Sequence, residues 1–349
     1  MTRVPEPNDF GKDRRCGLFN VLDLFSGCGG FSTGFIQAGG FKVVGACEWD
    51  NKRPAIAKTY KANHPNTEML YADITLEETK QTICNLFQHR RCDVMIGSPP
   101  CVAFSTSGRR NPNDPKASLF EHFIEMVRRL MPRIACIENV PGILSMKRSD
   151  GTPVTVAIAR AFRALGYSIG YHLLNAADFG DPQVRMRVVI FGWNQGGVPK
   201  FDRTHDEHGK GGLSRWRTVR DAISDLEDAP EDKDFWHVFT DHNPAFISRM
   251  QRTPFGGNCG GRFGDGYHRD RPDRPSSIIK TVALPIHYAH PRILTYREAA
   301  RLQSFPDAFR FVGNKTDVAT MIGNAVPCGL ARAIGKAVLG MLLPASDTP

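Results

Sequence analysis

The chain reads VLDLFSGCGGFSTGF from Val21 to Phe35. This stretch begins as a buried apolar strand, turns at Gly27, Gly29 and Gly30, and continues with the spacing of a helix. Glycine lets the backbone turn tightly and approach a ligand, because no Cβ intervenes. In open α/β sheets, ligands bind at the carboxyl ends of the strands. The stretch therefore predicts an α/β fold with a ligand site at this turn.

Similar apolar segments recur through the first half of the chain, separated by stretches of helical length. They predict strands at Asn20–Phe25, Lys42–Glu48, Cys92–Gly97, Ile134–Glu138 and Arg187–Gly192. Strands that alternate with helices form a mostly parallel sheet covered by helices, the Rossmann-like arrangement. This pattern indicates that one α/β domain occupies the first half of the chain.

The pattern changes after Trp193, where glycine and proline become frequent and periodicity weakens. Helical spacing returns at Thr295–Gln303 and Gly329–Leu342. We therefore expect three parts. These are a large α/β domain of residues 1–192 plus 320–349, a smaller irregular domain of residues 193–273, and a connecting segment of residues 274–319.

The formal net charge is +9 and favours a polyanionic partner. This charge is unevenly distributed. The segment Arg249–Arg292 carries eight basic and three acidic residues, whereas Trp193–Ser248 carries seven basic and eleven acidic residues. Positive charge is thus concentrated late in the irregular region, where contact with a polyanion is expected.

The cysteine content and the hydropathy exclude several classes of protein. Nine cysteines are scattered without a CxxC pair, which predicts free thiols in a reducing cytoplasm and no metal site. No apolar run approaches the roughly 18–20 residues that cross a bilayer. The first residues lack the apolar core of a secretory signal. We expect a cytoplasmic protein with no membrane attachment.

Acidic and aromatic residues follow the next predicted strands. Glu48 stands at the tip of the second strand, where a carboxylate can accept hydrogen bonds from both hydroxyls of a ribose. Trp49, beside it, can stack on an adenine face. Asp73, in LYADI, follows the third strand and can accept from the adenine amino group. These residues fit either NAD or S-adenosylmethionine.

A second set of polar residues is predicted at the same sheet edge. The strand from Cys92 ends in Pro-Pro-Cys, and the two prolines present Cys101 from a stiff backbone. Glu138 ends another strand, in ENV. Arg185 and Arg187 stand two residues apart in QVRMR, so both face one side of a strand. We expect the thiol, the carboxyl and the arginines to converge.

This set is what methylation of cytosine at C5 requires. C5 is a poor nucleophile, and addition of a thiolate at C6 makes it able to attack an activated methyl group. A carboxyl at N3 and an arginine at O2 stabilise the charge that develops on the ring. An NAD-dependent oxidoreductase shares the early strand and turn but has no need of the other residues.

The sequence closely resembles the cytosine-C5 DNA methyltransferase family, from Asn20 to the end of the chain except for the irregular insert. The matching motifs, in the family's order, are DLFSGCGGFSTGF, EWD, ADI, GSPPC, ENV, QVRMR, RPSSIIKT, HPRILTYREAARLQSFPD and GNAVP. The resemblance implies the α/β fold of S-adenosylmethionine-dependent methyltransferases. It also implies methyl transfer to C5 of a flipped cytosine in a specific duplex DNA sequence, through a covalent bond between Cys101 and C6, with S-adenosylhomocysteine as product.

The resemblance assigns roles to individual residues. Those implied to bind the cofactor are Phe25, Gly27, Cys28, Gly30, Glu48, Trp49, Asp73, Ile74, Pro99, Leu119, Asn324 and Val326. Those implied to be catalytic are Cys101, Glu138 at N3, Arg187 near O2, and Arg185 assisting nearby. One departure is Val102, where many members have glutamine after the nucleophile, so no role is placed on that side chain.

The loop Ser105–Ser118 carries Arg109, Arg110 and Lys116 and can close over a phosphate backbone. By the resemblance, residues 193–273 form a target recognition domain, and Ser105 lies on the catalytic loop close to the target phosphate. The residues expected to contact DNA are Ser105, Arg109, Gln183, Arg252, Arg262, Arg269 and Arg271. The sequence does not separate base readers from phosphate contacts. We expect a monomer on double-stranded DNA, and the sequence leaves open whether a partner restriction endonuclease exists.

Two further alternatives stay open at this point. The tRNA-acting branch of the family methylates RNA cytosine on the same scaffold, although the sizeable insert favours DNA. A catalytically silent DNA-binding or scaffold protein is the other, and the intact catalytic set argues against it.

Overall fold

The computed structural model describes residues 17–100, 119–260, 267–281 and 283–343. Four of the residues predicted to act in the site, Cys101, Ser105, Arg109 and Arg262, lie outside these ranges. The main sheet of the described residues contains seven strands. They are β1 (Phe19–Leu24), β2 (Phe41–Glu48), β3 (Glu68–Tyr71), β4 (Val94–Gly97), β5 (Ile134–Asn139), β6 (Ser168–Asn175) and β7 (Met186–Trp193).

Ten α-helices are found among the described residues. They are α1 (Gly30–Ala38), α2 (Ala55–Asn63), α3 (Glu77–Leu86), α4 (Leu119–Leu130), α5 (Val154–Ala164), α6 (Val219–Ile223), α7 (Pro244–Arg252), α8 (Tyr296–Leu302), α9 (Lys315–Asn324) and α10 (Cys328–Leu342). The predicted helices at Thr295–Gln303 and Gly329–Leu342 correspond to α8 and α10.

The seven strands form one sheet in the order β3-β2-β1-β4-β5-β7-β6. The pairs from β3 to β5 are parallel, whereas β7 runs antiparallel to both β5 and β6. The mostly parallel sheet predicted from the sequence is therefore confirmed, with each predicted strand present to within two residues. Strand β6 was not predicted, because only Leu174 of its eight residues is buried and the apolar signal is weak.

Apolar side chains cover both faces of the sheet. Helices α4 and α5 bury Phe123 and Phe162 against one face. Helices α1 and α10 cover the other face, and their backbones approach closely because of glycine. A Cβ at Gly34 would lie only 2.3 Å from the Cβ of Ala331. The C-terminal helix therefore packs directly on the helix that follows the first glycine-rich turn.

The region after β7 has less regular structure. A pair of two-residue strands, β8 (His205–Asp206) and β9 (Ser214–Arg215), is followed by α6. Thr218 caps α6 in a capping box with Asp221, and the helix ends at Ile223. A small apolar cluster of Phe246, Met250 and Ile286 then joins α7 to the connecting segment.

Within the described residues, one stretch is long and apolar enough to cross a membrane by length and composition, Lys315–Leu342. The structure divides this stretch into α9 and α10, and 67% of its most apolar window is buried inside the fold. A core helix of a soluble protein passes the same test.

Candidate active site

The first glycine-rich turn lies at the carboxyl ends of β1 and β2. Phe25, Gly27 and Gly29 all adopt positive φ angles, of 57°, 55° and 101°, which turn the chain sharply from β1 into α1. The N–H of Gly27 donates to Glu48 Oε2 at 2.7 Å, and the N–H of Trp49 donates to Oε1 at 2.9 Å. Both oxygens of Glu48 are thus held in place across the two strand ends.

This arrangement leaves room for a ligand. Among the described residues, a Cβ placed on Gly27 would meet no atom within 4 Å. Trp49 exposes 47% of its surface, and its ring lies 5.1 Å from that of Tyr71. Burial raises the pKa of the Glu48 carboxyl, against the effect of the two N–H groups that it accepts. A half-buried carboxylate beside an open indole face suits a nucleoside.

The two predicted adenine-edge residues occupy the next strand end. Asp73 follows β3 by two residues, and its Oδ1 accepts from the N–H of Thr75 at 2.9 Å. Ile74 is 5% exposed and packs in the core beneath. Among the described residues, Asp73 has a hydrogen-bond donor at one carboxylate oxygen only.

The GNAVP motif (Gly323–Pro327) reaches the same turn from the other end of the chain. A Cβ on Gly30 would lie 2.7 Å from the carbonyl oxygen of Val326. Cys28 Sγ lies 3.7 Å from the carbonyl oxygen of Met321, which precedes the motif. Asn324 is exposed beside them. The structure therefore brings together the predicted cofactor residues from the first and last motifs.

The second half of the candidate site forms where β4 and β5 end. Gly97 pairs in register with Ile137, so the segment after β4 runs beside the end of β5. Asn139 Nδ2 donates to the carbonyl oxygen of Pro99 at 3.1 Å. Pro99 and the half-buried Leu119, at the start of α4, flank the residues that lie outside the described ranges. The backbone that leads toward Cys101 is thus tied to the residue after Glu138.

Glu138 and Arg187 form a buried ion pair. Arg187 Nε lies 2.8 Å from Glu138 Oε1, and each side chain exposes 8% of its surface. Arg187 Nη1 also donates to the carbonyl oxygen of Met186 at 2.8 Å. Burial lowers the pKa of Arg187, and the carboxylate of Glu138 opposes that fall. The predicted convergence of these two residues is present in the structure.

The side chains of Arg185 and Gln183 are buried and form hydrogen bonds within the protein. Arg185 is 3% exposed, and its guanidinium donates to the carbonyl oxygens of Ile279 at 3.2 Å, Gly323 at 2.9 Å and Ala325 at 3.3 Å. Gln183 has no exposed surface, and Ile279 donates to its Oε1 at 3.0 Å. Gln183 was expected to contact DNA, but burial leaves it no surface for that contact, so we place it among the supporting residues.

Sequence reasoning did not single out two buried carboxyls that support the site. Asp23 has no exposed surface and accepts from the hydroxyl of Ser32 at 2.6 Å, beneath the glycine-rich turn. Burial raises its pKa to about 7. Asp181 accepts from two backbone N–H groups at the start of α10. The hydrogen-bond partners of Asp181 are distant in sequence, and the partner of Asp23 lies on the helix that follows the turn. No local sequence motif therefore marks either carboxyl.

The predicted DNA-contacting arginines differ in their availability. Arg252 is exposed at the end of α7. Arg271 is exposed too, and it pairs with Asp273 at 3.1 Å. Arg269 instead turns inward and donates to the carbonyl oxygen of Tyr288 at 2.7 Å. Arg252 and Arg271 present cations at the surface, whereas Arg269 braces the fold.

Comparisons with known proteins identify the family of this chain. The model of the C-5 cytosine-specific DNA methylase family matches residues 19–340. The Type II methyltransferase M1.HphI of Haemophilus parahaemolyticus is 34% identical, over 93% of this chain and 88% of the relative. The Type II methyltransferase M.DdeI of Desulfomicrobium norvegicum is 32% identical, over 91% and 88%.

Solved structures share the architecture. One is an E. coli protein assigned as a prophage-encoded DNA modification methyltransferase, with a TM-score of 0.72 and 27% identity over 93% of this chain and 99% of its own. The S. pombe Dnmt2 methyltransferase has a TM-score of 0.66 at 18% identity, over 95% and 100%, and this likeness concerns the fold alone. With the strand ends, the buried Glu138–Arg187 pair and the family match taken together, the chain belongs to the C-5 cytosine-specific DNA methylase family and is a DNA cytosine-5-methyltransferase.

Proposed function

We propose that the enzyme uses S-adenosylmethionine to methylate C5 of a cytosine flipped out of a specific duplex sequence, with Cys101 as the nucleophile. The observation that carries this proposal is the buried pair of Glu138 and Arg187 beside the Pro99–Pro100 segment. That segment leads directly into Cys101. The glycine-rich turn and Glu48 lie at the same sheet edge, so a methyl donor and a base would meet there.

The residues of the turn fit S-adenosylmethionine. Glu48 would accept from the ribose hydroxyls, Trp49 would cover one adenine face, and Asp73 would accept from the adenine amino group. The open space above Gly27 suits the methionine end. When bound, this cofactor supplies a sulfonium-activated methyl group and leaves as S-adenosylhomocysteine.

The chain's own residues would perform the steps on the base. The Cys101 thiolate forms a bond to C6, and the electron pair of the C5–C6 double bond becomes available at C5 for the methyl group. Glu138 would donate a proton or hydrogen bond at N3, and Arg187 would stabilise the charge near O2. A base then removes the C5 proton, the double bond re-forms and the Cys101 thiolate leaves.

Base flipping and target choice complete the proposal. A cytosine stacked in a duplex cannot reach a thiol at a sheet edge, so it must leave the stack at a cost of a few kcal/mol. Residues 193–273 would recognise the target, residues 274–319 would connect them, and residues 1–192 with 320–349 would carry the chemistry. Arg252 and Arg271 are the exposed candidates for DNA contact.

A trapped adduct tests the nucleophile. Duplex DNA with 5-fluorocytosine at the target cannot lose its C5 substituent, so the covalent complex should accumulate and be seen by mass spectrometry. We expect an adduct with the wild type and with the control Cys84→Ala, whose half-buried thiol lies on α3. Cys101→Ala should give no adduct and no transfer of labelled methyl, while it still binds S-adenosylhomocysteine.

Two results would contradict the proposal. One is methyl transfer by Cys101→Ala at a rate near that of the wild type. The other is efficient transfer to tRNA with none to duplex DNA in a side-by-side assay, which would favour the RNA-directed alternative.

A further inference from the structure

We infer that Asp181 is a positioning residue for the cofactor pocket: it fixes the GNAVP motif against the first glycine-rich turn and so sets the affinity for the methyl donor. This inference rests on the proposed function, because it assumes that the turn binds S-adenosylmethionine. Asp181 itself would touch neither the cofactor nor the base.

The carboxylate of Asp181 caps a helix that is distant in sequence. Asp181 has no exposed surface, and its oxygens accept from the N–H of Gly329 at 3.0 Å and of Leu330 at 2.7 Å. Helix α10 begins after Pro327, which offers no side-chain cap of its own. A negative charge at a helix N-terminus is favourable, because the unpaired N–H groups point toward it. Asp181 thus supplies the N-terminal cap that the local sequence of α10 lacks.

The fit at this contact is tight. A Cβ on Gly329 would lie 2.6 Å from Asp181 Oδ1, so only glycine lets the carboxylate come this close. Burial raises the pKa of Asp181 to about 6, which leaves it largely ionised at neutral pH with both oxygens able to accept. The carboxylate of Asp181 and the backbone of Gly329 therefore restrict each other to one position.

The capped helix follows the cofactor motif without a break. Val326, two residues before α10, places its carbonyl oxygen where a Cβ on Gly30 would come within 2.7 Å. Arg185, four residues after Asp181, donates to the carbonyl oxygens of Gly323 and Ala325. The segment Asp181–Arg185 therefore holds the GNAVP motif itself through Arg185, and the start of the helix that follows the motif through Asp181.

The base-binding residues are held separately. Arg187 continues from this segment into β7, where its position is fixed by the strand ladder and by the ion pair with Glu138. Loss of the Asp181 contact would release the far end of the GNAVP motif while that ladder stays intact. We therefore expect cofactor binding to weaken while the chemical step at saturating cofactor changes little.

Two independent variants test the contact from its two sides. Asp181→Ala removes the cap, and Gly329→Ala displaces it sterically although alanine is the better helix former. The matched control is Gly340→Ala in the same helix, where an added Cβ would meet no described atom within 4 Å. A second control is Asp178→Asn, whose carboxylate binds the Trp216 indole instead.

The measurements are the Kd for S-adenosylhomocysteine by calorimetry, and the KM for S-adenosylmethionine and kcat with duplex DNA. Asp181→Ala and Gly329→Ala should each raise Kd and KM about tenfold, the scale of one lost charge-assisted hydrogen bond, with kcat within about threefold. Asp181→Asn keeps one acceptor oxygen, so its Kd and KM should lie between those of the wild type and those of Asp181→Ala. Both changes break the same contact, so the double variant Asp181→Ala with Gly329→Ala should have the same Kd and KM as Asp181→Ala alone. Gly340→Ala and Asp178→Asn should match the wild type.

A merely structural role would give a different result. General destabilisation lowers the amount of active enzyme, so apparent kcat would fall while Kd and KM stayed at the wild-type values, and that outcome would overturn the inference. If the variants precipitate, the test is urea unfolding of Asp181→Asn with and without S-adenosylhomocysteine. A ligand-induced rise in the unfolding midpoint as large as that of the wild type would also overturn the inference. Failure of the proposed function is distinct, because the wild type itself would then bind no S-adenosylhomocysteine.

Discussion

The sheet edge and residues 193–273 hold their charged side chains in opposite ways. Glu138 and Arg187 expose 8% of each side chain and are paired at 2.8 Å between two strands. Arg271 and Asp273 form a similar pair at 3.1 Å, but they expose 56% and 61%. The buried pair is fixed by its surroundings, whereas water competes for the exposed one.

This difference fits a division of labour. Chemistry at a base needs groups held within a fraction of an ångström, so strand ends and buried partners serve it well. DNA recognition needs cations that can leave their internal partners and meet phosphates or base edges. Under the proposed function, exposed arginines on irregular backbone would meet that need, and loops tolerate sequence change.

The largest expected effect comes from breaking the buried pair. Arg187→Ala leaves Glu138 buried without its cation, which should lower the free energy of unfolding by about 3–5 kcal/mol and reduce methylation by at least about a thousandfold. The control is Arg271→Ala, which removes the exposed partner of Asp273. It should leave the Tm unchanged in calorimetry.

Equal losses of Tm in Arg187→Ala and Arg271→Ala would break the comparison, because burial would then confer no special dependence on the partner. A stable Arg187→Ala with full turnover would also remove Arg187 from the proposed mechanism.

A smaller effect should appear as acid sensitivity. His64 packs beside Gly29, and burial lowers its pKa from 6.5 to about 4. The folded state therefore favours the neutral ring, and this contribution is complete above pH 6.5 and lost as the pH falls toward 4. At about 1.4 kcal/mol per pKa unit, the loss is on the order of 3 kcal/mol.

Urea unfolding between pH 7 and pH 4 measures this contribution. His64→Gln should show a shallower fall in stability than the wild type over that range, because glutamine does not titrate. His208→Gln, at an exposed position between β8 and β9, should follow the wild-type curve. Identical slopes for all three proteins would show that the sheet edge is not the acid-sensitive region.

The smallest effect concerns DNA affinity. Arg252 is exposed at the end of α7, and if it contacts a phosphate, Arg252→Ala should weaken binding to all duplexes by a similar few-fold factor. The slope of log affinity against log salt should fall by about one unit. Fluorescence anisotropy over a salt series measures both quantities. A loss confined to the target sequence would instead identify Arg252 as a base reader.

Much of the sheet edge was predictable from local sequence. The glycine-rich turn, Glu48 at the end of β2 and Glu138 in β5 stand where the parallel-strand pattern places them. Arg187 reaches the same edge by another route, because it lies near the start of β7, which runs antiparallel to β5. Parallel strands bring their carboxyl ends to one edge, so residues at those ends converge whatever lies between them. Strand alternation and motif order are enough for that inference.

The contacts that support the site could not be predicted from strand alternation and motif order. Gln183 and Arg185 have the sequence context of site residues, yet the fold buries both and uses them to hold Ile279 and the GNAVP motif. Asp181 looks like an ordinary turn residue, yet it caps a helix that begins 147 positions later. Such roles depend on which distant backbone groups need a partner.

The sequence by itself determined the sheet, the family and the residues at the strand ends, because periodicity and glycine placement act over short distances. Only the tertiary structure decided which polar residues face the site and which brace it. That choice is made when helix ends and carbonyl groups are buried, since each buried polar group must then find a partner wherever the chain brings one. The first glycine-rich turn is local in origin, but the GNAVP motif is brought to it by the packing of α10 on α1.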